Sequence, residues 1–438
     1  MKRNLLIILI TVAALVAISG CENDYPPAVW KENDPGSPTP VITAVTPPDT
    51  SFEGVGIIEI TGQNFSSLPT ENLVFFNDKR ATVLEASATR LKVQAPVLIS
   101  VASQNAIDSV KIKVAVQGAY LFGDYKKPDG SYRPYRLEKA AIEYGDFSVS
   151  RKPHAIDCDN NEVIYVASEA NMAIWKIYLV GDTVKTEQWS GGTAVSIITG
   201  LKVGPQGKVF FVRNNRYIYT VASAGAGKTN FIQCGGNVYD IDFNVNGDVY
   251  GVGKDSVYCV NSTGTPKTHY TTKAYKGFTL TCVRVFNGYV YVSGTYTGTD
   301  ASIAKEGIWR SQIVANDSLG WREEVLNWKT CAYATGALTS FTLDEDGNLY
   351  IGGKESYDAT PNYTGGNALI KLNMPSKVPE VFYGSILFPP ATHMTWGSGN
   401  FMYVVRLIDN ETAGGAPKIR IIRVDMDKKG APYYGRSL

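Results

Sequence analysis

Short runs of alternating apolar and polar residues dominate the chain after residue 20. The clearest run is Val110, Ile112, Val114 and Val116, where an apolar side chain recurs at every second position. Such a period of two is typical of a β-strand with one buried face. No stretch after residue 20 keeps apolar residues at the i, i+3, i+4 and i+7 spacing of an amphipathic helix over several turns. The pattern therefore predicts an all-β protein.

From about residue 119 to residue 438 one unit recurs six times: a strand, a turn with Gly or Asn, and a second strand with Tyr or Phe. The turns and second strands lie at residues 160–165, 207–210, 247–250, 288–291, 347–350 and 399–403. Phe210 and Tyr250 are 40 residues apart, which fits the four-stranded blades of a β-propeller. A ring of blades buries the faces that a single blade exposes. We expect six blades, or seven if residues 119–150 form a blade instead of the strand that closes the ring.

The composition agrees with many short strands joined by tight turns. The 438 residues include 42 Gly and 26 Tyr, and only 19% of them are charged. The 42 Lys and Arg residues are balanced by 41 Asp and Glu residues. A chain with almost no net charge lacks the field that attracts nucleic acid, so we expect no nucleic-acid partner.

The first 24 residues have the features of a bacterial lipoprotein signal. Basic residues precede an apolar run, Leu5 to Ile18, that is too short to span a bilayer comfortably. The run ends in Ser19-Gly20-Cys21, which resembles a lipobox and implies lipidation of Cys21. The following Glu22-Asn23-Asp24 resembles the surface-export signal of Bacteroidetes lipoproteins. We expect residues 1–20 to be a signal peptide and the mature protein to be lipid-anchored in the outer membrane, facing the cell exterior. The alternative is an ordinary signal peptide followed by a chance Cys.

Residues 40–118 resemble the IPT/TIG immunoglobulin-like domain. The resemblance rests on Pro47-Pro48, on the turn from Gly62 to Phe65, and on the alternating stretch from Ser87 to Pro96. It implies a small β-sandwich that serves as a spacer or docking module, so no site residue is assigned there. The proline-rich residues 21–39 before it predict a semi-stiff tether.

Residues 119–438 resemble the NHL and YncE-like propellers in their strand–turn–strand pattern. In such a ring, the turns between first and second strands open on one face, and the loops between second and third strands open on the other. Those second-face loops are long and irregular here, at residues 293–307, 352–367 and 406–418. Tyrosines on such loops can stack on sugar rings or hold peptide side chains, unless they pack the loops against the body. The candidate ligand-binding residues are Tyr275, Tyr296, Tyr333, Tyr357 and Tyr363.

Motifs for catalysis and metal binding are weak. His154 and His393 start the innermost strands of the first and sixth blades, which ring closure makes neighbours. A metal site or an acid–base pair is one interpretation, and a channel-lining pair is the favoured one. Counted from the turns, Thr392 aligns with His154, and a one-residue offset turns His393 to the other face of its strand. The five Cys residues after Cys21 show no metal-binding spacing. We expect no enzyme activity, no metal and no cofactor.

The order of lipobox, export signal, IPT/TIG domain and propeller resembles the surface lipoproteins that accompany TonB-dependent transporters of the starch-utilisation (SusCD-like) type. This resemblance implies a nutrient-binding lipoprotein that captures an oligosaccharide for the transporter and its SusD-like lipoprotein. One alternative is a non-enzymatic accessory subunit of such a complex that handles peptide or other cargo. Another is a propeller lyase or lactonase that uses His154 and Asp240.

Overall fold

The protein is described here from a computed structural model. It describes residues 35–99, 105–145, 153–168, 173–190, 197–261, 266–270, 273–315, 318–354, 367–384, 386–387, 390–408 and 418–438. Within these ranges the regular structure consists of β-strands and short 3-10 turns, so the all-β prediction is confirmed. None of the described segments forms a helix that is long and apolar enough to cross a membrane. The predicted signal peptide, Cys21 and most of the predicted tether lie outside the described residues.

Between residue 35 and the propeller, the described residues form eleven strands. They are β1 (Val41–Thr46), β2 (Thr50–Phe52), β3 (Ile57–Gln63), β4 (Asn72–Phe76), β5 (Lys79–Arg80), β6 (Thr82–Ser87), β7 (Arg90–Gln94), β8 (Ala106–Val110), β9 (Ile112–Val116), β10 (Gly123–Asp124) and β11 (Tyr135–Glu138). Two sheets, with strand orders β1-β3-β7-β6 and β10-β9-β4-β5, share one apolar core. Ile58 and Ile60 of β3 alternate into this core from one side, and Ile112 and Val114 of β9 do so from the other. The first domain is therefore a β-sandwich.

The sandwich extends beyond residue 118, where the sequence pattern placed its end. Strand β11 pairs in parallel with β2 and antiparallel with β8. Its Tyr135, together with Tyr125, belongs to the sandwich core. The next strand, Ala141–Glu143, already pairs with the last strand of the propeller. The change of domain thus falls between Glu138 and Ala141. The sequence pattern did not show this, because the last sandwich strands are short and lie among Gly, Pro and Lys residues that hide the alternation.

In the described part of the propeller there are twenty-four strands. They are β12 (Ala141–Glu143), β13 (Pro153–Cys158), β14 (Ile164–Ser168), β15 (Ala173–Val180), β16 (Thr183–Gln188), β17 (Gly200–Val203), β18 (Val209–Val212), β19 (Asn215–Val221), β20 (Thr229–Phe243), β21 (Val249–Gly253), β22 (Val257–Val260), β23 (Pro266–Tyr270), β24 (Phe278–Phe286), β25 (Tyr289–Tyr296), β26 (Glu306–Ala315), β27 (Ser318–Leu319), β28 (Glu323–Asn327), β29 (Ala337–Leu343), β30 (Leu349–Lys354), β31 (Leu369–Asn373), β32 (Val378–Phe382), β33 (Ala391–Trp396), β34 (Phe401–Ile408) and β35 (Lys418–Asp425). The 3-10 turns are Pro69–Glu71, Pro205–Gly207, Lys273–Tyr275, Trp328–Thr330 and Tyr434–Ser437.

The described strands group into six blades. The long strand β20 is the outermost strand of the second blade and continues as the innermost strand of the third, so these two blades form one seven-stranded sheet. The innermost strands β13, β17, β20, β24, β29 and β33 each contact the next one, and β33 contacts β13. The ring is therefore closed, with apolar clusters between adjacent blades.

The sixth blade contains strands from both ends of the propeller sequence. Its order is β12-β35-β34-β33, with Ala141 opposite Val424. Residues 141–143 thus supply the closing strand, which was the alternative to a seventh blade. Both ends of the propeller sequence are thus held in one sheet, and β35 is an inner strand of this blade instead of an exposed edge strand.

The residues that follow β35 close one end of the central channel. They run across the face formed by the turns between first and second strands, where the Ala431 amide donates to the Leu343 carbonyl over 2.9 Å. The Gln206 amide donates to the Leu438 carbonyl over 2.8 Å, and the Asn160 side chain donates to the Arg436 carbonyl over 3.0 Å. The opposite end of the channel, where the innermost strands begin, forms an open mouth.

Candidate functional site

The mouth of the propeller holds a cavity of about 310 Å³. Each innermost strand, or the residue just before it, contributes one side chain to its wall. The wall residues in ring order are His154, Thr199, Tyr239, Thr281, Thr339 and Thr392, with His393 and Lys354 beside them. The cavity opens on the face of the long, irregular loops, which is the face predicted to bind ligand.

β-Bulges at the start of the innermost strands set the direction of these side chains. The pairing of β13 with β14 shifts between Pro153 and Ile156, and that of β33 with β34 shifts between Ala391 and His393. A bulge adds one residue to one strand and re-aims the side chains around it. Both Thr392 and His393 therefore line the cavity, and the predicted outward turn of His393 is wrong. The channel-lining interpretation of the two histidines is confirmed, with ring centroids 5.0 Å apart.

The histidine of the sixth blade is neutral in this environment. Burial, together with charge repulsion from His154 and Lys202, lowers the pKa of His393 to about 3, although a backbone hydrogen bond with Thr199 acts in the opposite direction. Its Nδ1 atom is buried and has no hydrogen-bond partner among the described residues. A buried polar atom without a hydrogen-bond partner lowers the stability of the fold.

The threonine hydroxyls leave hydrogen-bond acceptors on the wall. Thr392 donates to the Val405 carbonyl over 3.1 Å, and Thr199 donates to the Val212 carbonyl over 3.4 Å. Thr339 donates to the carbonyl of Ala391 in the next blade. A hydroxyl whose hydrogen is used in this way keeps lone pairs that can accept from a ligand. The wall thus combines hydroxyl acceptors with the neutral imidazole of His393, the second imidazole of His154 and the cation of Lys354.

The floor of the cavity is polar and leads to a narrow space of about 30 Å³. Asp240 lines that space, and its Oδ2 atom accepts from the Val283 amide over 2.9 Å. Burial raises the pKa of the Asp240 carboxyl to about 6, although Lys202 acts in the opposite direction. A Cβ atom at Gly200 would lie 2.4 Å from Asp240 Oδ1, so Gly200 leaves the space that this carboxyl needs.

The C-terminal residues seal the channel below this floor. Arg436 pairs with Asp157, and both side chains are almost completely buried. The Tyr433 ring lies among three cations, with Arg284 at 3.5 Å, Arg436 at 3.9 Å and Lys202 at 5.1 Å from its centroid. Burial opposes ionisation of Tyr433, but these cations outweigh it and lower its pKa. The mouth is therefore a pocket with a closed floor and not a pore.

Two of the predicted ligand-binding tyrosines belong to the core instead. Tyr275 is fully buried, and its hydroxyl lies 2.9 Å from that of Ser311. Tyr296 is buried against Phe278, with ring centroids 4.8 Å apart. Tyr275 ends the 3-10 turn before β24 and Tyr296 is the last residue of β25, and both rings pack between blades, so neither can stack on a ligand at the surface.

The remaining predicted tyrosines stay as candidates. Tyr333 is 41% exposed, and its carbonyl accepts from the Asn367 side chain over 3.2 Å. Tyr333 therefore has the exposure that the prediction requires. Tyr357 and Tyr363 lie outside the described residues. Their assignment remains a prediction from the sequence.

Sequence reasoning missed Tyr239 and the threonines of the wall. A signal for them exists, because Thr199, Tyr239 and Thr339 each stand eight residues before the turn glycine of their blade. Equal spacing from the same turn puts side chains at one height in the ring. Within the described ranges, no group of three or more His, Cys, Asp or Glu side chains is arranged to hold a metal ion.

Comparison with known proteins identifies the first domain. Residues 40–128 match the IPT/TIG domain family, which also extends past residue 118. No curated protein matches the chain.

Solved structures resemble the chain over most of its length. One is an auxiliary nutrient binding protein from Bacteroides ovatus, 13% identical over 88% of this chain and 98% of that one, with a TM-score of 0.48. Another, an auxiliary nutrient binding protein from Bacteroides thetaiotaomicron, is 13% identical over 89% and 98%, also with a TM-score of 0.48. A Bacteroides thetaiotaomicron protein with a provisional phosphatase name is 11% identical over 89% and 97%, with a TM-score of 0.51. At these identities the likeness concerns the fold.

Proposed function

We propose that this protein is a lipid-anchored, cell-surface nutrient-binding protein that holds the end of an oligosaccharide in the propeller mouth without transforming it. The observation that carries the proposal is the cavity of about 310 Å³, which is open on the side of the long loops and closed below. Its size is at the lower end of small-molecule pockets, so it takes one or two sugar rings of a longer chain.

The chemistry of the wall favours a sugar over a peptide. Four of the eight lining residues are threonines, and the others are two histidines, Tyr239 and Lys354. None of them is an aliphatic or phenylalanine side chain of the kind that holds the apolar side chains of a peptide. Hydroxyl acceptors and imidazole nitrogens match the alternating donors and acceptors of a sugar, and the Tyr239 ring offers a face for its C–H groups.

The cellular address of the proposal comes from the N-terminal sequence. The lipobox-like Ser19-Gly20-Cys21 and the acidic Glu22 and Asp24 support an outer-membrane lipoprotein on the cell surface. The order of this signal, the IPT/TIG domain and the propeller supports the proposal that the protein acts together with a TonB-dependent transporter and its SusD-like lipoprotein. In that setting the protein captures an oligosaccharide and releases it to the transporter.

Calorimetry with a panel of oligosaccharides and peptides tests the binding proposal. Tyr239→Ala removes the aromatic face of the wall and should weaken oligosaccharide binding about tenfold. Thr183→Val, on the outermost strand of the first blade, is the matched control and should leave affinity unchanged. Binding of peptides but not sugars would favour the accessory-subunit alternative, and equal affinities of parent and Tyr239→Ala would refute the mouth as the site.

A lyase or lactonase is the second candidate, because His154 and His393 lie 5.0 Å apart in the same cavity. Two imidazoles at that distance can act as acid and base on one substrate. Product analysis of each bound ligand after prolonged incubation separates the two functions. Unchanged ligand supports binding alone, whereas turnover that disappears in His154→Ala would replace the binding proposal with an enzymatic one.

A further inference from the structure

A second surface of interest lies on the IPT/TIG domain and not on the propeller that contains the mouth. Tyr120, Leu121 and Phe122 are consecutive, and their side chains are 54%, 66% and 51% exposed. Three neighbouring large apolar side chains at such exposure are uncommon on a soluble domain unless something covers them. They follow β9 and precede β10, at one edge of the sheet β10-β9-β4-β5.

Basic and aromatic side chains continue this surface across the sheet. The Lys111, Lys113 and Lys126 ammonium groups lie 4.7, 5.6 and 5.4 Å from the centroid of the Tyr132 ring. Lys113 also lies 5.8 Å from the ring of Phe122. Asp124 pairs with Lys126 over 3.0 Å and with Lys113 over 4.0 Å, so two of the three lysines share one carboxylate there. We call residues 120–122 together with these lysines and Tyr132 the basic aromatic face.

The N-terminal tether reaches the sandwich at this same face. The Ser37 amide donates to the Gly118 carbonyl over 2.7 Å, and Ser37 bridges to Ala119. A Cβ atom on Gly36 would lie 2.5 Å from the Tyr120 ring, so the incoming chain runs directly against that side chain. Fourteen residues lie between Cys21 and Gly36, and the fully extended chain between the two spans at most about 50 Å.

We propose that the basic aromatic face rests on the anionic surface of the membrane that holds the lipid anchor. The tether delivers this face, and not the propeller mouth, to the lipid. Apolar side chains enter the boundary between headgroups and acyl chains, while lysines around them attract anionic headgroups. The face then acts as a second membrane contact beside the acyl chains and holds the sandwich in one orientation. The proposal is independent of what the propeller binds.

Vesicle co-sedimentation tests the proposal with the lipid-free chain 21–438 carrying Cys21→Ser. The vesicles are phosphatidylethanolamine with phosphatidylglycerol, and phosphatidylcholine alone serves for comparison. We expect binding to the anionic vesicles that weakens as salt is raised. The double variant Leu121→Ser with Phe122→Ser should lose at least tenfold in partition, because burial of one large apolar side chain alone changes an equilibrium by about that factor.

Control variants and a folding measurement distinguish binding through this surface from nonspecific hydrophobic adsorption and from misfolding. Val245→Ser removes an apolar side chain that is 64% exposed on the propeller and should leave vesicle binding unchanged. Lys111→Gln should reduce binding to anionic vesicles only. Thermal unfolding must show that the double variant is folded, as expected for exposed positions. Absence of binding by the parent, equal binding by the double variant, or self-association through this face in place of vesicle binding would each overturn the proposal.

Discussion

The buried pair beneath the pocket floor allows a quantitative test of the sealed channel. Arg436→Met keeps the length of the side chain but removes its charge. Asp157 then keeps hydrogen bonds from the Thr395 hydroxyl, at 2.6 Å, and the Val203 amide, at 2.7 Å, and the charge of Lys202, but it loses its direct ion pair in a site with no solvent exposure. Breaking a buried pair by removing one partner leaves an uncompensated charge and lowers the free energy of unfolding by about 3–5 kcal/mol.

This loss should appear clearly in the melting temperature. An unfolding entropy of about 2.1 cal/mol/K per residue over the roughly 300 residues of the propeller gives about 1.6 °C for each kcal/mol. We therefore expect Arg436→Met to lower Tm by about 5–8 °C, measured by circular dichroism or differential scanning fluorimetry. The control Lys377→Met removes one partner of an exposed pair with Glu323 and should lower Tm by less than about 2 °C.

The pH dependence makes the same test more specific. Burial opposes ionisation of Asp157, but Arg436 and Lys202 outweigh it and lower its pKa below 3.8. A depressed pKa contributes stability above the unfolded value, and this contribution is lost as pH falls through the folded value. Without Arg436 the folded carboxyl should bind its proton more readily, so the deficit of Arg436→Met should shrink as pH falls toward about 4.

A second substitution supplies the refutation. Adding Asp157→Asn to Arg436→Met removes the unpaired charge and should recover most of the lost stability, because the two residues interact directly. If Arg436→Met lowers Tm no more than Lys377→Met does, or if the double variant is as unstable as the sum of the single ones, the pair does not hold the channel closed.

Three further predictions concern the pocket itself. His393→Gln should lose less stability than the parent between pH 6.5 and about 4, as followed by Tm; the depressed pKa of His393 means that the unfolded parent takes up a proton there and the folded one does not. Gly200→Ala should lower the free energy of unfolding by about 1–3 kcal/mol through its contact with Asp240, whereas Gly227→Ala, with nothing within 4 Å of the new Cβ, should stay within about 0.5 kcal/mol in urea titrations. Lys354→Met should weaken calorimetric binding of a uronate-bearing oligosaccharide about fivefold at low salt and leave its neutral counterpart unaffected; equal losses for both sugars would contradict a charge role.

The fold could be predicted from the sequence where a periodic pattern and a turn agree. The turn glycines at 207, 247, 288 and 347 mark the hairpins of four blades, and the alternation from Ile112 to Val116 marks a sandwich strand. The end of the sandwich could not be predicted, because Tyr135 reaches its core from a four-residue strand within a loop-like segment. A linear pattern shows which residues alternate but not which distant strand they join.

The face of the propeller that carries the candidate site could be predicted from the sequence, but most of the residues in the site could not. The long loops identified the open side of the ring correctly. Position in a loop does not determine burial, however, and Tyr275 and Tyr296 fill the space between the third and fourth blades. The direction of His393 depends on a bulge between Ala391 and His393, and a bulge leaves no periodic mark in the sequence.

The short connection between the two domains has a mechanical consequence. Lys139 donates its amide to Asn105 of the sandwich, and the carbonyl of the next residue, Ala140, accepts from Asp425 in the sixth blade. The connection between the domains is therefore hydrogen-bonded to both of them, and β12 of the propeller follows it directly. Under the proposed function, tension between the lipid anchor and a polymer held at the mouth would pass through the three paired residues of β12.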